Sequence, residues 1–219
     1  LRSLDDVEYA EPDYACWPAE EAGTPVALSE GGAPPPSDLL PPGNDPWFPT
    51  QWGLRNTGQD GGLAGADIEA PAAWDTTTGS SNGVVAGIDT GVRYDHEDLA
   101  ASMWTNPGEI PGNSVDDDGN GYVDDVYGPN ALGDDGDPMD DPAATGSGHG
   151  THVAATIAAP MNGKGGVGVA PGVRIMALRF LANPATTPAG GGYNSDAIQC
   201  IDYCIAKGAR LSNNSWGST

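Results

Sequence analysis

The chain has 219 residues, 38% of them hydrophobic, with 33 glycines and 20 prolines. That is enough to enclose one sizeable core among many turns, and no run of eighteen apolar residues is present to cross a bilayer. Asp and Glu number 31 against 8 Lys and Arg, a formal net charge of −23; nucleic acid and anionic membrane surfaces repel such a chain and are excluded as partners. Two readings of the excess stand side by side: a heavily solvated acidic surface, and partial neutralisation by bound calcium.

The chain starts at Leu1 rather than Met and shows no signal peptide, so an upstream region is expected to have been removed or left out. Residues 1–14 are a short polar–apolar stretch. From Pro18 to Pro46 hydrophobic periodicity fades, and Pro34-Pro35-Pro36 and Pro41-Pro42 exclude helix interiors and ladders. This segment reads as an extended linker open to proteolysis.

Globular composition begins at Trp47. The apolar run Val84–Ile88, closed by Asp89-Thr90-Gly91, fits a buried parallel strand. A long acidic, glycine-rich region follows, Asn106 to Gly146. Gly148–Ala159 reads as a helix with Ser147 as N-cap, Val153 and Ile157 on its packing face, and Pro160 closing it. Arg174–Leu181 is a second strand. Asn194–Lys207 is an amphipathic helix marked by Ile198, Ile201 and Ile205, with Gly208 as its C′ residue. Ala209–Trp216 is a further strand. Strand, helix, strand, helix, strand predicts a doubly wound, mostly parallel α/β sheet.

Cys16, Cys200 and Cys204 are too few and too irregular for a disulfide framework. Cys200 and Cys204 share a helix face and read as buried thiols; a strained disulfide or a metal pair is the alternative.

In such sheets reactive groups gather beyond the carboxyl ends of the strands. Asp89 stands there, and His149 opens a helix between Gly148 and Gly150, which permit close approach of another backbone. A buried carboxylate beside an imidazole fixes its tautomer and stabilises the imidazolium, as activation of a hydroxyl nucleophile requires. Spacing alone leaves a turn aspartate and a structural histidine open.

The wording around the pair carries more. Val84-Val85-Ala86-Gly87-Ile88-Asp89-Thr90-Gly91-Val92 resembles the aspartate motif of subtilisin-like serine proteases, and His149-Gly150-Thr151-His152-Val153-Ala154 resembles their histidine motif, in the family's order. The resemblance runs from Trp47 to Thr219 and implies Asp89 and His149 as catalytic residues. Ser212-Asn213-Asn214-Ser215-Trp216-Gly217-Ser218 resembles the strand that pairs with bound peptide, which implies Ser215, Trp216 and Gly217 as substrate-binding residues and a polypeptide substrate. Residues 1–15 resemble the tail of the family's inhibitory propeptide, giving an expected division of 1–15 propeptide tail, 16–46 linker and 47–219 N-terminal part of the catalytic domain. No Gly-Thr-Ser occurs, so the family's nucleophile and its oxyanion asparagine are expected in a C-terminal half, without which these residues should be inactive.

Asp116-Asp117-Asp118-Gly119-Asn120-Gly121-Tyr122-Val123-Asp124-Asp125 reads as a calcium loop. Asp116, Asp118 and Asn120 fall at positions one, three and five, Tyr122 offers a carbonyl at seven, and Asp124 falls at nine. Tyr127 stands where an EF-hand has glutamate, and Asp125 is a substitute for closing the shell. The family resemblance implies a second calcium site from Asp98 and Asn162. Asp134–Asp141 reads as a charged loop, His96 as a turn residue and His152 as structural.

These residues together imply a calcium-stabilised serine endopeptidase made as a zymogen, in an extracellular or secretory setting. The alternatives are a non-catalytic calcium-binding module, a peptide-binding pseudoprotease, and a metallohydrolase using His149 and His152.

Overall fold

The computed structural model describes residues 44–140, 148–182 and 191–217, and the backbone of 15–18. At its centre lies strand β2, Val84–Asp89. It pairs in parallel with β3, Arg174–Arg179, from Val84 opposite Arg174 to Asp89 opposite Arg179. On its other side it pairs in parallel with β5, Leu211–Asn213, giving the order β3-β2-β5.

Successive side chains of a strand point to opposite faces, and β3 shows what each face meets. Ile175 and Ala177 pack with Ala154 and Ala158 of helix α2, His149–Ala158. Met176 and Leu178 pack with Ala197, Cys200, Tyr203 and Cys204 of helix α3, Asn194–Ala206. A strand buried on both faces reads as a continuous apolar run, as Val84–Ile88 and Ile175–Leu178 do. The α/β doubly wound architecture expected from the element order is therefore the one observed.

The α2 helix ends at Ala158, two residues before Pro160, whose missing N–H prevents continuation. Its N-cap residue is Gly148 at φ 107°, with no side-chain cap; Ser147 lies outside the described residues. α3 ends with Gly208 at φ 78°, the left-handed conformation expected of a C′ glycine. One face expectation is corrected. Ile198, Ile201 and Ile205 are 57%, 41% and 71% exposed, while Ala197, Cys200 and Cys204 turn inward. The two series share helical spacing and differ by one residue, so periodicity alone could not choose between them. Cys200 and Cys204 are separate buried thiols; burial pushes Cys200 far up and Cys204 up to about 11.

The stretch expected as one strand over Ala209–Trp216 divides into β5 and β6, Trp216–Gly217. β6 leaves the parallel sheet for a small antiparallel one of order β4-β1-β6, where β1 is Ala15–Pro18 and β4 is Gly192–Tyr193. A third cluster, Phe48, Leu54, Ala70 and Val167, seals the N-terminal part of the body; Ala70 opens the short helix α1, Ala70–Trp74. Asp45, on the linker side of the boundary expected at 46, is fully buried.

Candidate active site and candidate metal centres

Asp89 is the last residue of β2 and His149 the first of α2, so parallel pairing and helix packing bring together groups sixty residues apart. The His149 Nδ1 to Asp89 Oδ1 distance is 2.6 Å. The Asp89 side chain is 2% exposed and that of His149 23%, so the carboxylate is shielded while the ring still reaches solvent. Asp89 Oδ1 also accepts the Thr90 amide at 2.7 Å. With Nδ1–H donated to Asp89, Nε2 is left as the proton acceptor, the assignment following from the bond.

Gly150 makes this approach possible. A Cβ there would lie 2.2 Å from the Gly91 carbonyl and 3.0 Å from Asp89 Cβ. Of the two glycines flanking His149, Gly150 thus serves close packing, while Gly148 supplies the positive φ. The Gly150 amide donates to Thr90 Oγ1 at 3.0 Å, closing the junction between β2 and α2.

Ser215, Trp216 and Gly217 stand at the start of β6 and in it. Trp216 pairs with Pro18 and Gly217 with Trp17 in antiparallel register, while Cys16 and Ala15 pair with Gly192 and Tyr193. The Trp216 ring turns inward against Phe180, edge to face at 4.8 Å between centroids, while its backbone pairs with β1. Ser215 Oγ accepts from Asn213 Nδ2 at 2.9 Å. Residues expected to bind an extended peptide thus hold one from this same chain. Of the expected propeptide tail, 1–14 lie outside the described residues, and β1 straddles the expected boundary at 15.

Asp116, Asp118, Asn120, Tyr122 and Asp124 lie on one acidic loop; Tyr122 enters the loop reading through its carbonyl, and the side-chain oxygens of the other four are drawn to several partners. Asp116 spends its oxygens on the amides of Gly119, Asn120 and Gly121. Asp124 accepts the amides of Gly112, Asn113 and Ser114. Asn120 Oδ1 accepts the Tyr122 amide, and the Tyr122 hydroxyl donates to Gln199. Among the described residues, Glu109, Asp118 and Asp125 bring carboxylate oxygens within 4.8 Å of one another. This set shares Asp118 with the loop reading and includes Asp125, the substitute for closing the shell. Backbone turns redirected the other oxygens, which position counting along a loop does not register. Burial and neighbouring acids push Glu109 up. Burial also acts to raise Asp118, but the Lys207 ammonium and the Asn106 amide outweigh it and hold that carboxyl below its ordinary value.

Asp98 and Asn162 do meet, and a residue the sequence reading passed over joins them. Asp45 Oδ1 accepts the amides of Asn162 and Gly163, each at 3.0 Å, and Asp98 Oδ2 accepts that of Gly166 at 3.2 Å. Asp45 Oδ2 and Asp98 Oδ1 are buried without a hydrogen-bond partner among the described residues, as is Glu109 Oε2. Buried carboxylate oxygens left unpaired are costly. Buried hard oxygen donors of this kind fit a cation such as calcium. Burial raises Asp98, its principal cause, against the lowering hydrogen bonds of Gly166 and Asn162. Nothing in the wording Asn44-Asp45-Pro46 marks Asp45 as a ligand.

Residues 80–219 match the model of the subtilase family, Peptidase_S8. The chain is 33% identical over 175 residues to Subtilisin-like protease 1 of Plasmodium berghei (strain Anka), covering 79% of this chain and 26% of that protein. It is 33% identical over 216 residues to the Thermophilic serine proteinase of Bacillus sp. (strain AK1), covering 96% and 37%. Among solved structures, the serine protease of Aeromonas sobria in complex with its chaperone superposes at TM-score 0.60 with 27% identity, over 82% of this chain and 26% of that one. Fervidolysin of Fervidobacterium pennivorans superposes at 0.54 with 28% identity, over 84% and 23%. The chain spans about a quarter of the length of the first of these relatives.

Proposed function

The chain belongs to the subtilase family, and on that premise we propose that the protein it comes from is a calcium-stabilised serine endopeptidase. The observation that carries the reading is the 2.6 Å contact between Asp89 and His149 at the carboxyl end of β2. His149 Nε2 takes the proton of a serine hydroxyl as that oxygen attacks the peptide carbonyl. Asp89 holds the ring and stabilises the imidazolium, and the proton then passes to the leaving amine. The serine and the oxyanion asparagine belong, on this reading, to sequence other than these 219 residues, which by themselves are inactive.

Substrate would enter as β1 does, an extended strand between β4 and β6 whose backbone supplies affinity. The segment holding Ala15–Pro18 then acts as the chain's own propeptide, blocking the groove until linker cleavage releases it. The A. sobria structure, a protease with its chaperone, agrees with a polypeptide partner for such a domain.

Calcium would be held by Asp45, Asp98 and Asn162 at one site and by Glu109, Asp118 and Asp125 at the other. There it supplies positive charge to buried oxygens and ties loops together; it takes no part in bond cleavage. Among the described residues no helix is long and apolar enough to cross a membrane, and the family class favours an extracellular or secretory setting.

The test is the full-length protein assayed on denatured casein with calcium present. Hydrolysis abolished by His149→Ala supports the endopeptidase. A folded protein that binds casein peptides without cutting them would move the pseudoprotease reading to first place. Activity removed by a zinc-selective chelator, with calcium retained, would favour the metallohydrolase.

A further inference from the structure

The first turn of an α-helix leaves its leading amides without intrahelical partners, and an N-cap side chain normally satisfies one of them. In α2 this device is absent, because Gly148 occupies the N-cap position. The turn that carries His149 is instead held by side chains from elsewhere. Thr90 Oγ1 takes the Gly150 amide. Asp140 Oδ2 takes the Thr151 hydroxyl at 2.7 Å and the Thr151 amide at 3.3 Å. Thr151 Oγ1 in turn accepts the Arg93 amide at 3.0 Å, on the segment that leaves β2 beyond Asp89.

Asp140 is 1% exposed. A carboxylate is expensive to bury, and the bonds to Thr151 offset only part of that cost, since burial still holds the Asp140 carboxyl above its ordinary value. Its backbone is tied in as well: the Pro138 carbonyl accepts the Val92 amide at 2.9 Å, and the Met139 carbonyl accepts from Arg179 Nη1 at 2.7 Å. The Pro138–Asp140 segment is thus anchored to the loop after β2 and to the end of β3, and Asp140 reaches from that anchor to the third residue of α2.

We propose that Asp140 is a positioning residue for His149: by holding Thr151 it fixes the first turn of α2 at the spacing that keeps His149 Nδ1 on Asp89. This rests on the catalytic reading of the pair for its effect on rate, but its geometric content does not. A carboxamide at 140 keeps an acceptor for the Thr151 hydroxyl, whereas a methyl does not.

The experiment uses the full-length protein and two readouts. The first is the low-field Nδ1–H proton resonance of the His149–Asp89 bond, assigned by its absence in His149→Ala. The second is the split of kcat from KM on a peptide substrate. Asp140→Ala and Thr151→Val are expected to weaken or remove the resonance and to lower kcat about 10- to 100-fold, as a displaced base does, with KM within about twofold. Asp140→Asn is expected to restore most of both. A folded Asp140→Ala protein with the parental resonance and kcat would overturn the proposal, as would Asp140→Asn failing as badly as alanine. If the parent shows the resonance but cleaves nothing, the endopeptidase reading fails, and the resonance alone decides on Asp140.

Discussion

The Tyr203 hydroxyl donates to Asp125 Oδ2 at 2.5 Å, joining α3 to the acidic loop across 78 residues. Asp125 is fully buried. It also receives Asn106 Nδ2 on one oxygen and Asn120 Nδ2 on the other. Lys207, one turn along α3 from Tyr203, reaches Asp118 in the same loop. The acidic loop is therefore seated on the helix that covers one face of the central sheet.

Removing that donor should be felt in stability. Tyr203→Phe keeps the ring, which packs edge-on to Tyr122 at 6.2 Å, and deletes one charge-assisted bond. The expected loss is about 1.5–3 kcal/mol, read as a lowered denaturation midpoint at unchanged m-value. A midpoint equal to the parent's would show that the loop does not depend on this anchor.

Calcium removal should also destabilise. Buried unpaired oxygens on Asp45, Asp98 and Glu109 are relieved by a cation, and binding to the folded state alone adds about 2.7 kcal/mol at a hundredfold excess over Kd. A chelator should lower the Tm of the full-length protein, and added calcium should restore it. Asp45→Asn and Glu109→Gln should each reduce that calcium-dependent rise, acting on different sites. A Tm indifferent to chelator would reject both centres.

Gly150→Ala tests the closeness of β2 and α2. The added methyl would fall 2.2 Å from the Gly91 carbonyl, so the helix must retreat from Asp89. Peptide hydrolysis by the full-length protein should fall about a hundredfold. Parental kcat in this variant would mean the junction yields without moving His149.

The pH dependence of Asp140 has a definite sign. Burial pushes this carboxyl above its ordinary value, against the lowering bonds of Thr151 and Thr90, with the Asp89 charge adding to the rise. A folded-state pKa above the unfolded one contributes stability that is fully present below the unfolded value, near 3.8. That contribution is lost as pH rises through the folded value. Asp140→Asn removes the titration, so the variant should gain in Tm relative to the parent as pH is raised from about 4 towards neutrality. A parent–variant difference constant across that range would contradict the assigned shift.

Much of the fold could be read from residue order. Val84–Ile88 and Ile175–Leu178 are apolar without alternation because both faces of each strand are covered. Gly208 and Pro160 ended their helices where backbone chemistry requires. The Asp89–His149 pairing was legible because motif wording ties Asp89 to a strand end and His149 to a helix start. The face of α3 was not, since two apolar series of equal spacing run along it. Nor was the division of Ala209–Trp216, which depends on β6 turning away to pair with β1.

The candidate metal centres mark the boundary most clearly. The sequence by itself determined that candidate oxygen ligands are concentrated between Asn106 and Asp125, because composition and local spacing are properties of the chain; Asp98 and Asn162 were marked only by the family resemblance. Only the tertiary structure decided which oxygens converge. Asp116 and Asp124 are drawn to amides of their own loop, while Asp45 meets Asn162 across 117 residues. Asp140 reaches Thr151 for the same reason: a ligand set or a clamp is fixed by distances in space, and those follow from how the sheet and helices pack.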